Sequence, residues 1–328
     1  MLTTSVHKRA LLIALTAAAF SPSSFAQVPD YPNKPIRVVV TFPPGGSSDA
    51  MLRVMAPRIA DKLGQQLVID NKPGAGGNIG LALVSKAAPD GYTLGVGAAG
   101  ALAANASLYA QMPFDALKDF RPVTLLADIP FVIAGAPSLQ ARTLQEVIAL
   151  AKAQPGKLSI AHGGNGTAMH LSTALLEQMA GIKLTSVPYR GSGPATLDVL
   201  AGQIPLVMTD LPASLQQIKA GKLVAYAVTS ARRLAVLPDV PTVAEAGLPG
   251  YESVGWFGLV APADTPRPIV SRLNSEFVAA LNDDAIKASL RKNGMEPAPG
   301  TPEAFGAFIR SETQKWARVI REANIKLD

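Results

Sequence analysis

The chain of 328 residues contains no cysteine. That absence excludes thiol catalysis, thiolate metal sites, iron–sulfur clusters and disulfides, and leaves nothing to acylate for a lipoprotein anchor. Histidine is almost as scarce: the three residues are His7, His162 and His170. The spacing of His162 and His170 matches no common zinc motif, and no Asp or Glu lies between them. Aromatic residues make up 5% and no Lys/Arg run occurs, which argues against a nucleic-acid surface. No early glycine turn ends in the Gly-Lys-Ser/Thr of a phosphate-binding loop. A dinucleotide fingerprint would need glycine where the chain has Ile79, and there is no Gly-x-Ser-x-Gly nucleophile elbow. A hydrolase or lyase would have to work with carboxylates and hydroxyls alone. No metal, cofactor or catalytic residue is expected.

What is present begins with a leader. Lys8 and Arg9 supply positive charge, Ala10 to Phe20 is apolar and uncharged, and Ser24-Phe25-Ala26 puts small residues at the −3 and −1 positions of a cleavage after Ala26. The apolar run is shorter than the roughly 20 residues that cross a bilayer. The pattern predicts a secretory signal peptide over residues 1–26, and no membrane insertion once it is removed. About 300 residues remain, long for one core and natural for two lobes. Two of the 30 basic residues lie in the leader, against 24 acidic residues overall, so the remainder keeps a mild, dispersed positive excess. Such a balance suits a small anion.

The remainder alternates strand-like and helix-like segments, which predicts an α/β architecture with a parallel or mixed sheet. Ile36 to Val40 reads as a buried strand, Ala50 to Leu63 as a helix stopping at Gly64, Leu67 to Asp70 and Tyr92 to Gly97 as further strands. A second series runs through Lys157 to Ala161, Ala168 to Ala180, Thr185 to Tyr189, Ala195 to Ala201, Pro205 to Thr209 and Leu223 to Thr229. Three helix-like segments close the chain, the last carrying Phe305, Phe308, Ile309, Trp316, Val319 and Ile320 on one face.

Four glycine turns fall between strands and helices: Gly45-Gly46, Gly76-Gly77, Gly163-Gly164 and Gly191-Ser192-Gly193. Ligands of open α/β sheets bind at such places, where free amides and the helix dipole favour an anion. A carboxylate held by several of these turns is the natural expectation. Asp49 and Asp210 stand where strand meets helix and read as caps; Asp210 could also face a ligand amine. His162 directly follows a strand, as a ligand contact or a turn filler. Tyr189 is expected to line the pocket, while Arg190 either grips a carboxylate or points to solvent.

At these turns the sequence resembles a known family. Tyr31-Pro32-Asn33-Lys34-Pro35-Ile36, Phe42-Pro43-Pro44-Gly45-Gly46, Asn71 to Gly80, Pro89 to Leu94, Asn165-Gly166-Thr167, Val187 to Gly191, Leu237 to Thr242 and Gly255-Trp256-Phe257-Gly258 occur in order over essentially the whole mature chain. Together they resemble the tripartite tricarboxylate transporter receptors, the Bug family of periplasmic solute-binding proteins. The resemblance implies a two-lobed periplasmic binding protein of type II, a Venus flytrap with two crossing hinge strands near Val123 to Ala134 and Val224 to Ser230. Residues 27–127 and 231–328 would form lobe one, and 128–230 lobe two. The family implies a monomer in the periplasm that captures a small carboxylate (a dicarboxylate, an aromatic acid or similar) and delivers it to membrane permease subunits; a sensor subunit is the alternative. Carried over onto this chain, the ligand would meet Phe42, Gly45, Gly46, Ser47, Ser48 and Asp49 on one side, and Gly164, Asn165, Gly166, Thr167, Tyr189, Gly191 and Asp210 on the other, with His162 added as a contact on the site reading above. Asn78 and Ala98-Ala99-Gly100 would form the wall. Ala98 and Ala99 replace hydroxyl residues common there, implying a less polar ligand body. A ring at His162, where a small residue is common, would narrow the pocket or add a donor.

Overall fold

Ile36, Val38, Val39 and Val40 are wholly buried, as a central strand flanked on both faces requires. The computed structural model describes residues 31–322 and 325, so the expected leader over residues 1–26 and its cleavage point lie outside the described residues. Strand β1 (Ile36–Val40) pairs in parallel with β2 (Leu67–Asn71) and β3 (Thr93–Ala98). Helix α1 (Ser47–Leu63) buries Met51, Leu52, Met55, Ile59 and Leu63, the i, i+4 rhythm of one face. It begins three residues earlier than the apolar periodicity suggests, because Gly46 takes the extended N-cap conformation and Ser47, Ser48 and Asp49 form the first turn. That shift places the helix start at the end of β1. Helix α2 (Asn78–Ser85) follows a single 3-10 turn, and a π-helical turn, Gly100–Ala104, follows β3.

The next strand, β4 (Phe120–Gly135), joins two sheets. Its 16 residues extend about 50 Å at the usual rise of a strand. Phe120 to Pro130 pairs antiparallel with β9 (Val254–Pro262), which also pairs with β3. Phe131 to Gly135 instead lies between β7 (Leu206–Asp210) and β8 (Val224–Val228). The second sheet continues from β7 to β5 (Ser159–His162) and β6 (Thr185–Pro188), which run parallel. The continuous order is β2-β1-β3-β9-β4-β7-β5-β6, with β8 and the short β10 (Glu296–Pro297) both on β4. From Pro32 on, the chain forms one compact unit whose two sheets share the long strand. The expected first crossing near Val123 to Ala134 is therefore β4.

Helices α3 (Leu144–Ala153), α4 (Ala168–Ala180), α5 (Ser192–Leu200) and α6 (Leu211–Lys219) cover the second sheet. Helices α7 (Arg267–Asn282), α8 (Asp284–Lys292) and α9 (Pro302–Glu322) close the first. On α9 the buried Glu312 accepts the indole N–H of both Trp256 and Trp316 at 3.0 Å, which ties β9 to the C-terminal helix.

β8 pairs with the far end of β4 and, through Val228, bridges in parallel to Thr242, so the stretch after it stays beside the second sheet. Leu234, Val236, Leu237 and Val240 pack against Val132, Leu211, Leu215 and Val228. Tyr251 Oη donates to the Ser172 carbonyl at 2.8 Å, and the Ser172 and Ser253 hydroxyls lie 2.6 Å apart. The chain rejoins the first sheet only at Val254, opposite Pro130. The apolar residues of this stretch are irregularly spaced, so no periodicity marked where they pack.

Candidate functional site

Four helices begin at one cavity of about 170 Å³ between the two sheets. Gly46 and Ser47 bring the start of α1, Thr167 and Ala168 that of α4, Gly191 and Ser192 that of α5, and Asp210 that of α6. Thr167 and Asp210 cap their own helices through side-chain oxygens. The N-caps of α1 and α5 are glycines without a side-chain cap, so their first amides carry the positive helix ends bare toward the cavity. Gly191 has φ of 108°, a conformation that L side chains rarely adopt, which explains glycine at this cap.

Asp210 joins the two sides. Its Oδ2 accepts from Ser47 Oγ at 2.7 Å and from Ser192 Oγ at 2.9 Å, and its Oδ1 accepts from the Ala213 amide at 3.2 Å. Burial raises its pKa, and the hydrogen bonds from Ser47, Ser192 and Ala213 offset only part of that rise. The expected cap is thus also a bridge between the lobes. Around this floor the lining is apolar: Phe42 and Phe257 lie 6.1 Å apart as tilted rings, with Ala98, Ala99, Ile129, Phe131 and Met169 about them.

The expected ligand contacts separate into three groups. Phe42, Gly45, Gly46, Ser47, Ala99, Thr167, Gly191 and Asp210 line the cavity. Gly164, Asn165 and Tyr189 line an adjoining hollow of about 290 Å³, which Phe42, Arg190 and Gly191 share. Ser48, Asp49, Asn78, His162 and Gly166 line neither.

Three of that last group, Asp49, Asn78 and His162, have hydrogen bonds that turn them away. Asp49 accepts from the Gly45 amide at 2.9 Å, from Arg53 at 2.8 and 3.0 Å, and from Asn71 at 3.2 Å. Burial would raise its pKa, but those donors outweigh it and hold the carboxyl below the usual range. It braces the turn between β1 and α1. Asn78 accepts from Asn105 Nδ2 at 2.8 Å behind the wall. Ser48 is fully buried. His162, the expected ligand contact or turn filler, is fully buried behind its turn. Its Nδ1 accepts from the Gly164 amide at 3.2 Å, so Nε2 carries the proton toward Ser186 Oγ at 2.6 Å. Burial, and then the His170 ring 5.0 Å away, push its pKa down to about 3. It is a neutral structural ring and neither narrows the cavity nor offers it a donor.

Tyr189 lines the adjoining hollow but not the cavity, while Arg190 reaches both. Tyr189 Oη donates to Asp198 at 2.6 Å, a bond that with burial pushes its pKa up to about 12. The exposed Arg190 lines both the cavity and the hollow. Sequence reasoning missed Ser192, which stood inside a quoted turn, and Ile129, Phe131 and Met169. The first three of these could have been found by asking which side chains a crossing strand and a helix start must present to the gap between two lobes.

The lobes touch around the cavity as well. Tyr109 Oη donates to the Asn165 carbonyl at 3.4 Å, and the Gly100 backbone lies directly against that of Gly166. A clamp of this shape holds a small anion and releases it by hinge motion. Among the described residues, no group of three His, Asp or Glu could hold a metal, and no helix is long and apolar enough to cross a membrane.

Residues 51–325 match the model of the tripartite tricarboxylate transporter family receptor. The chain belongs to this family. The receptor is similar to protein BugT of Bordetella pertussis, at 40% identity over 298 residues, 90% of this chain and 91% of that one. Among solved structures it is similar to an R. palustris protein with adipate, at 37% identity and a TM-score of 0.87, covering 90% of this chain and all of that one. It is also similar to MatC from Rhodopseudomonas palustris with bound malate, at 33% identity and a TM-score of 0.84, covering 88% of this chain and all of that one. The receptor is thus a solute-binding protein of the two-lobed type, and its family is one of receptors rather than enzymes.

Proposed function

We propose that the receptor works in the periplasm after cleavage near Ala26, captures a small carboxylate between its lobes and delivers it to the membrane permease subunits of a tripartite transporter. It acts as a monomer. Lobe one comprises the first sheet with residues 254–322, and lobe two the second sheet with residues 231–253. The observation that carries the reading is the pair of uncapped helix starts, α1 and α5, set on one cavity from opposite lobes. A carboxylate there meets backbone amides of both lobes at once, so binding favours the closed arrangement. The amides of Ser47 and Ser192 receive the anion, Gly46 and Gly191 shape the two starts with their own N–H groups donated to the Pro43 and Gly163 carbonyls, Thr167 and Asp210 shape the floor, and Arg190 draws the charge in from the rim. Three donors, Ser47, Ser192 and the Ala213 amide, already face Asp210, which weakens its repulsion of the guest. The adipate and malate of the two R. palustris relatives support a carboxylate as the ligand class.

The test is a panel of carboxylates and their neutral amides, read by thermal shift and calorimetry on the purified protein. Saturation at about one hundred times Kd adds about 2.7 kcal/mol of stability, which raises Tm by about 5 °C or more. Amides give no rise. A panel without any stabilising carboxylate overturns the reading.

A further inference from the structure

We propose that the ligand is a monocarboxylate whose body is apolar and has about the bulk of one six-membered ring. The inference rests on the carboxylate reading above and specifies the rest of the guest.

The polar groups of the cavity gather at one place. Ser47, Ser192 and Asp210 form a closed hydrogen-bonded set at the helix starts, and Arg190 adjoins Gly191 at the rim. Away from the helix starts and Arg190, no side chain of the remaining wall is free to receive a second charged group. Ala98, Ala99, Ile129, Phe131, Met169 and Phe257 offer only carbon and a thioether sulfur. Pro43, Pro44 and Pro194 have no N–H to give. The two polar side chains left in the lining are already engaged. The indole N–H of Trp256 goes to Glu312 at 3.0 Å, and Thr167 Oγ1 donates to the Gly164 carbonyl at 2.7 Å while accepting from the His170 amide at 3.3 Å. A second carboxylate pressed against these side chains would lose its water and gain no side-chain donor, which is unfavourable. A hydrocarbon body gains from the same surface.

The size follows from the volume. A cavity of about 150 Å³ lined by apolar side chains accepts benzene, and this one measures about 170 Å³. One ring, or a branched chain of equal bulk, fills the apolar part once the carboxylate is seated at the helix starts.

The experiment is calorimetric titration of the purified protein with benzoate, cyclohexanecarboxylate, malate and adipate, with benzamide as the uncharged control. The expected result is that both monocarboxylates bind at least about 10-fold more tightly than either dicarboxylate, and that benzamide gives no heat. Malate or adipate binding as tightly as the ring acids overturns the apolar-body inference and leaves the carboxylate receptor standing. Failure of all four acids to bind overturns the carboxylate reading, and this inference with it.

Discussion

Gly100 offers a way to separate closure from folding. It opens the π-helical turn Gly100–Ala104 in lobe one. A Cβ built there would overlap the Gly166 carbonyl oxygen, with Gly166 C at 3.2 Å and Thr167 Cα at 3.4 Å as its next neighbours. All three atoms belong to the turn before α4 in lobe two. The backbone at Gly100 is outside the left-handed region, so alanine suits lobe one by itself. Gly100→Ala therefore strains only the arrangement in which the lobes meet. Close-packed backbone does not compress, and relief requires the lobes to part by about 1 Å or more. Overpacking of this kind costs about 1–3 kcal/mol, and each 1.4 kcal/mol is about tenfold in affinity. The Kd for the best carboxylate of the panel should rise by about 5- to 100-fold. Titration calorimetry measures it, and Gly300→Ala, whose Cβ meets nothing within 4 Å, is the control. A Gly100→Ala protein that binds as tightly as the parent refutes the reasoning, because the lobes of the loaded receptor then do not meet at Gly166.

Two further predictions concern pH. His162 stays neutral in the folded protein down to about pH 3, against an ordinary value of 6.5, so the unfolded chain gains a proton first as pH falls and stability is lost between pH 6.5 and 3 at about 1.4 kcal/mol per unit. His162→Asn should flatten that slope in Tm against pH while leaving the carboxylate Kd within about twofold; a large loss of affinity would restore the histidine to the binding site. Burial, with Glu296, Glu312 and Glu252 nearby, pushes Asp128 up to about 6 from 3.8. Its folded form then holds a proton more tightly than the unfolded chain, so stability present near pH 4 declines as pH rises through 6. Asp128→Asn should raise stability above pH 7 by up to about 3 kcal/mol and change it little near pH 4, and an equal Tm gain at both pH values would contradict this.

The parts legible in the sequence are those whose cause is local. The buried run of β1 and the one-sided faces of α7, α8 and α9 follow from side-chain pattern, and the start of α1 missed by one turn because a glycine N-cap leaves no side-chain signal. The cavity is less local. Gly46, Ser47 and Gly191 line the cavity at places that a helix start after a strand announces. His162 lies buried behind its turn, as the filler alternative has it, because the last residue of a strand can face either side and a slip of one residue reverses every side chain. The second bond of Asp210 joins it to Ser47, 163 residues away, and nothing in its own neighbourhood marks that partner.

That long bond also bears on how the site takes its guest. The hydroxyls of Ser47 and Ser192 are both donated to Asp210, leaving their oxygens as acceptors. An incoming carboxylate needs donors, so the backbone amides of the two helix starts must receive it while the hydroxyls stay with Asp210. Affinity then depends on the positions of two helices in different lobes rather than on the reach of a flexible side chain. Any change that parts the lobes moves one set of amides away from the anion, as the methyl of Gly100→Ala would. On the proposed function, binding and closure are for that reason one equilibrium: the ligand can be held tightly only by the arrangement that encloses it.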